Sequence, residues 1–127
     1  MAIKYRPVKK VNPAKRGEEQ LFYPCPVSDQ KVTTRRLAEE IAAATSFSTP
    51  DTIGVLEALV FAIPKFLCEG AIVSLGDFGT FRVTLKGKGK ATKKEMTRSD
   101  IREIRIKFQP GAEFSRQVKT ADLEKVE

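Results

Sequence analysis

The stretch Val73–Val83, VSLGDFGTFRV, constrains this chain more than any other. From Phe81 onward it alternates strictly. Phe81, Val83 and Leu85 share one parity, and Arg82, Thr84 and Lys86 share the other. A strand with that period buries one face and solvates its opposite. Ala71–Leu75 reads as a second strand, and Gly76, Asp77 and Gly79 between the two are expected to supply positive-φ turn conformations. The same period returns at Ile104, Ile106 and Phe108, with Arg105 and Lys107 interleaved. The spacing therefore predicts three strands, at 71–75, 78–85 and around 104–108, in one antiparallel sheet with an apolar face and a cationic face.

The residues before the hairpin read as two helices. Val32–Thr45 places Leu37, Ile41 and Ala44 on one face. Thr33 is its expected N-cap, and Arg36 stands where a reciprocal capping box requires Glu or Gln. Ser48 or Thr49 caps the second helix, with Pro50 and Asp51 in the first turn and Gly70 as the residue that stops it. Inside, Ile53, Leu56, Val60, Ile63 and Leu67 form one apolar face, and Val55, Leu59, Phe61 and Phe66 widen it to a second. A helix apolar on two sides needs two partners. One is the first helix; a second copy of the chain is the candidate for the other. Pro64 is expected to kink this helix.

Pro110-Gly111 opens a short helix over 112–118, after which the last residues are expected to fray. At the other end, Ile3–Val11 reads as a strand that Pro7 assigns to a sheet edge. Asn12–Glu19 reads as a loop, and Gln20–Val27 as a second extended piece, since Pro24 and Pro26 exclude a helix. The domain division expected is an extension at 1–31, a main domain at 32–120 and a tail at 121–127, in the α+β class.

Charge is unevenly placed. The chain of 127 residues carries 23 Lys and Arg against 16 Asp and Glu, a net +7. Residues 1–27 hold six basic and two acidic groups, and residues 84–107 hold nine and three; the other two segments are slightly acidic. The densest run, KGKGKATKK from Lys86 to Lys94, lies between two strands of one sheet rather than at a terminus. Arg82, Lys86, Arg105 and Lys107 extend it onto the strands at the polar parity. A continuous cationic face of this kind suits a polyanionic backbone.

Several functions are disfavoured. With no His, two isolated Cys and no GxxxxGK[ST], the chain lacks an imidazole base, a four-thiolate zinc set and a phosphate loop. No enzymatic activity, metal or cofactor is expected. The first twenty residues have no apolar signal core, and the longest apolar window, Val55–Leu67, is interrupted by Glu57, Pro64 and Lys65. No membrane association is expected, and the cytoplasm is the expected compartment. Cys25 and Cys68 then remain thiols, with Cys68 expected as a small buried apolar group.

SLGDFGTFRV resembles the glycine-phenylalanine hairpin of the bacterial histone-like HU/IHF DNA-binding proteins. The two helical stretches before it match that family's opening helices in order and spacing, and IKFQPGAEFSRQV resembles its third strand and closing helix. The resemblance covers about residues 32–120. The extension ahead of it is similar to the HU-like proteins of Bacteroidetes. The resemblance implies an intertwined homodimer: a two-helix base, a three-stranded sheet and a β-arm per chain, gripping double-stranded DNA in the nucleoid. It implies DNA contacts from Lys86, Lys88, Lys90, Lys93 and Lys94 in the arm and from Arg98 and Arg102 at its tip or return. Arg82, Arg105 and Lys107 fall on the saddle strands. Backbone N–H groups near Gly79 and Gly111 fall where the family clamps phosphates. Phe78, Phe81 and Phe108 fall on packing positions. Three departures stand out: the arm has no proline to wedge between base pairs, Asp77 replaces a glycine at the clamp, and Ala112 replaces a lysine.

The expected function is therefore a non-sequence-specific or weakly specific architectural DNA-binding dimer. The alternative is a protein-interaction dimer of the same fold with weak DNA binding, recruiting a partner through residues 1–27. Single-stranded or RNA binding is a weaker third reading, because no aromatic is interleaved with the basic arm.

Overall fold

A computed structural model describes residues 2–10 and 21–126. The loop expected at 12–19 lies outside the described residues, as do Val11 and Gln20 at the ends of the two extended pieces. The chain divides into two compact units, one of Thr33–Arg116 and one that joins both ends, Met1–Val32 with Gln117–Glu127.

The larger unit opens with α1 (Thr34–Ala44) and α2 (Thr49–Cys68). Both N-caps are as expected. The Thr33 hydroxyl accepts from Arg36 N–H at 3.3 Å, and the Ser48 hydroxyl accepts from Asp51 N–H at 3.2 Å. At the end of α2, Gly70 adopts a φ of 82°. Its N–H donates to Leu67 O at 3.0 Å and Ala71 N–H to Phe66 O at 3.1 Å, the paired bonds of a Schellman motif. The helix runs without interruption through Pro64. Of α1, Ala38 is the buried residue, whereas Leu37 and Ile41 stay exposed in the single chain.

The strands that follow are β3 (Val73–Ser74), β4 (Gly79–Gly87) and β5 (Ile101–Pro110), and α3 (Ala112–Lys119) closes the series. β4 lies between β3 and β5, and both pairings are antiparallel. The expected first strand shrinks to two residues, and the other two are longer than expected. The turn is a single 3-10 turn over Gly76–Phe78. Gly76 has a φ of 61° and Gly79 one of 146°, but Asp77 is not in the positive-φ region. Glycine alone reaches Gly79's conformation readily, since a side chain there clashes with its own backbone.

Two backbone approaches lock this turn. A Cβ at Gly79 would lie 2.5 Å from Gln109 O, and one at Gly111 would lie 2.1 Å from Asp77 O. Gly111 N–H donates to Phe78 O at 3.1 Å in the same place. The entry to α3 is thus seated on the hairpin turn, and Phe114 of α3 joins Phe78, Phe81 and Phe108. Ring centroids in that cluster lie 4.9 Å (Phe81 and Phe108) to 6.5 Å (Phe78 and Phe81) apart.

The second unit is a sheet of β1 (Ala2–Lys10), β2 (Leu21–Pro26) and β6 (Asp122–Lys125), in the order β2-β1-β6. Two expectations are corrected here. The C-terminal residues do not fray: β6 pairs in parallel with Ala2–Tyr5. β1, assigned to an edge on account of Pro7, is the central strand. The register explains how the proline is accommodated. Val27 N–H donates to Lys4 O at 2.8 Å, which makes Lys4 and Val27 a hydrogen-bonded pair. Alternation then makes Pro7 and Pro24, and Tyr5 and Pro26, non-hydrogen-bonded pairs. No proline nitrogen faces the β1–β2 ladder. Pro7 faces the β6 side, but β6 ends opposite Tyr5, where Val126 N–H donates to Tyr5 O at 3.0 Å. Locally, position 7 is an edge.

Little of the apolar surface is covered. The chain exposes 11022 Å². A folded monomer of this mass exposes about 6,700 Å², and two independent units of these sizes roughly 8,000 Å². Among the described residues only Ala38 and Leu67 are buried apolar side chains. Phe61 on α2 is 78% exposed and Ile106 on β5 is 70% exposed. Cys68, expected to be buried, is exposed, and both cysteines are free. No helix among the described residues is long and apolar enough to cross a membrane.

The two locks are testable by stability. Gly111→Ala drives a methyl into backbone that has no rotamer to yield, and should destabilise the fold by more than about 2 kcal/mol. Ser48→Ala, which removes only a cap, should cost about 1 kcal/mol. Equilibrium denaturation compares them; a Gly111→Ala effect no larger than that of Ser48→Ala would contradict the lock.

Candidate nucleic-acid interface

The β4–β5 register sorts residues by chemistry. Phe81 faces Phe108, Val83 faces Ile106 and Leu85 faces Ile104, while Arg82 faces Lys107 and Thr84 faces Arg105. Apolar pairs occupy one face and cations the other, because directly opposed residues share a face. Arg82 and Lys107 are like charges held opposite each other, an arrangement that costs stability unless an anion lies across it. Arg105 is partly neutralised: its Nε lies 3.1 Å from Glu103 Oε2. Lys86 stands opposite Glu103.

The ladder is irregular beyond this point. The register shifts between Lys86 and Gly87, where Gly87 pairs with Ile101 and Arg102 is left unmatched. A Cβ at Gly87 would lie 2.3 Å from Asp100 O, so the close crossing needs glycine. By alternation Arg102 shares the parity of Ile104 and Ile106, away from the saddle cations. With Arg98 it borders a depression of about 380 Å³ that also includes Leu85, Ile101 and Ile104.

Between Gly87 and Ile101 the chain forms a compact tip rather than a long extended arm. It contains two 3-10 turns, Lys93–Glu95 and Arg98–Asp100. Lys93, Lys94 and Arg98 lie on these turns and Lys88 on the segment leading to them. Lys90 Nζ lies 3.4 Å from Asp100 Oδ1. The structure therefore brings Arg82, Arg105 and Lys107 together on one strand face. It gathers Lys88, Lys90, Lys93, Lys94 and Arg98 on the tip, and places Arg102 beside the same depression as Arg98, apart from the strand-face set. Of the two expected backbone clamps, Gly111 N–H already has Phe78 O as acceptor, and Gly79 O accepts from Leu75 N–H at 2.9 Å.

Sequence reasoning missed Asp100, Gly87 and Phe114. Asp100 had a readable signal: Thr97-x-x-Asp100 is a capping pattern, and both of its reciprocal bonds form. Gly87 had none, since the bulge depends on pairing with a distant strand. Outside the basic run, Arg116 of α3 is raised above its ordinary pKa by a hydrogen bond from its side chain to Glu113. No cluster of three or more potential metal ligands exists among the described residues.

On the other side of the sheet, α2 and the strands leave an apolar groove of about 350 Å³ bordered by Pro64, Leu67, Val83, Leu85, Ile104 and Ile106. A second groove of about 280 Å³ continues it along Leu59, Val60 and Ile63.

A search of curated proteins finds no significant match. Solved structures do match. The chain superposes on the crystal structure of a candidate DNA-binding protein from Bacteroides vulgatus with a TM-score of 0.65 at 10% identity, over 98% of this chain and 48% of that one. At that identity the likeness is one of fold, and the chain spans about half the length of its neighbour. Residues 1–125 match the family described as an HU domain fused to wHTH, Ig or a glycine-rich motif. With that match covering nearly its whole length, the chain belongs to this HU-domain family.

Proposed function

We propose that this protein is an architectural binder of double-stranded DNA in the bacterial nucleoid, weakly specific for sequence and acting as a homodimer. The observation that carries the reading is the opposed pair Arg82 and Lys107 on the face directly behind the apolar one. Cations held against each other on a rigid strand pair are what a phosphate backbone neutralises. Family membership supports the same reading, as does the kinship in fold with a candidate DNA-binding protein. Duplex is favoured over single strands because Phe81 and Phe108 pair on the apolar face, away from the cations. The homodimer is supported by the open grooves along α2 and the sheet, which a second copy's apolar surface would fill. Lys88, Lys93, Lys94 and Arg98 on the tip extend the contact beyond the saddle. Lys86, Lys90, Arg102 and Arg105 contribute less, since each has an acid as partner or neighbour or lies off the cationic face.

A second reading is favoured by one observation on the other unit. Its sheet carries an apolar depression of about 490 Å³ bordered by Ile3, Tyr5, Pro24, Cys25, Pro26 and Leu123. A protein partner seated there would make this chain an interaction dimer of the same fold, with DNA binding secondary.

Four experiments test the proposed function. If six or more phosphates are neutralised per dimer, duplex affinity should fall about a thousandfold between 50 and 200 mM salt. Changing Lys86, Lys88, Lys90, Lys93 and Lys94 to Ala should reduce that slope, and an unchanged slope and affinity would remove the tip from the interface. Lys107→Gln should stabilise the free protein by about 0.2–1 kcal/mol by relieving the opposed charges, yet weaken duplex binding; loss of both stability and affinity would mean an ordinary structural role. Ile106→Asp should leave the single chain folded and abolish the dimer in sedimentation equilibrium, and a persistent dimer would place the interface elsewhere.

A further inference from the structure

A carboxylate is out of place in a segment that supplies cations to DNA, yet Asp100 sits at the centre of the tip. Among the described residues it is the one charged side chain that is buried, at 9% exposure. It engages both sides of the segment. Its Oδ2 accepts from Thr97 N–H at 2.9 Å, and its Oδ1 lies 3.4 Å from Lys90 Nζ. Its backbone carbonyl accepts from Lys88 N–H at 3.0 Å, and its own N–H donates to Thr97 O at 3.0 Å. The Gly87 crossing brings the outgoing strand against that same carbonyl. Lys88 and Lys90 on the way out, and Thr97 on the way back, are thus tied to one residue. Between Lys90 and Thr97 lies the 3-10 turn that carries Lys93 and Lys94, and Arg98 begins the second turn, which Asp100 itself ends.

We propose that Asp100 is a positioning residue, which holds the tip of the β4–β5 hairpin in its DNA-contacting form before DNA arrives. The proposal rests on the DNA-binding reading above and adds its mechanism. A loose, lysine-rich loop would have to be ordered on each encounter, and that entropy would be subtracted from affinity. A closed tip meets the duplex with its cations already spaced. Asp100 itself touches no phosphate; it removes one unit of positive charge from the tip and returns a fixed geometry.

This leads to an expectation opposite to that of simple electrostatics. Removing a negative charge from a cationic surface should tighten binding to a polyanion; if Asp100 positions the tip, it should weaken it. The test titrates a labelled duplex, at several salt concentrations, with native full-length protein, Asp100→Asn and Asp100→Ala. Asp100→Ala is expected to lose about tenfold in affinity, with a salt slope smaller by about 2, as tip cations cease to engage together. Asp100→Asn still accepts from Thr97 N–H and should recover most of the affinity and the slope. Equal or tighter binding by Asp100→Ala at the native slope would overturn the proposal. Hydrogen exchange on the free native protein supplies an arm independent of any variant's folding. The Lys88 and Thr97 amides should be protected, and exchange at the rates of an unstructured loop would overturn it too. A native protein without salt-dependent duplex affinity would defeat the functional reading itself, an outcome separate from both.

Discussion

The pairing register of β4 with β5 is the constraint on which the rest depends. Because side chains alternate across a strand, one register places Phe81, Val83 and Leu85 against Phe108, Ile106 and Ile104, and in the same act places Arg82 against Lys107. A slip by one residue would mix cations into the apolar face and disperse the basic one. The register is held at both ends by glycine. Gly79 and Gly111 let the turn and the entry of α3 approach within distances no side chain permits, and Gly87 lets the strands cross where the tip begins. Between those points the aromatic cluster of Phe78, Phe81, Phe108 and Phe114 ties α3 to the sheet.

This unit is built with its second face unfinished. The residues that would ordinarily close a core, among them Phe61, Val60, Ile104 and Ile106, lie open. The helix caps and the Schellman motif are complete, so the incompleteness is confined to packing. A chain that satisfies its backbone and leaves its apolar surface uncovered gains stability when something else covers it. That asymmetry links the architecture to the proposed homodimer.

Acidic residues divide the cations into working and structural sets. Glu103 engages Arg105, and Asp100 engages Lys90. Among the described residues, Arg82, Lys88, Lys93, Lys94, Arg98 and Lys107 form no such ion pair. Counting lysines and arginines along the chain treats all ten as equivalent, whereas their surroundings do not.

Strand parity, both helix caps, the Gly70 stop and the apolar excess of α2 were legible in the amino-acid order, because each is set by neighbours within a few residues. So was the concentration of charge between Lys86 and Lys107. The central place of β1, the pairing of β6, the bulge at Gly87 and the closure of the tip by Asp100 against Lys88 and Lys90 were decided by tertiary structure alone. Each depends on two segments far apart in the chain meeting in one register. No local pattern of Pro7, Gly87 or Asp100 records which backbone will lie beside it.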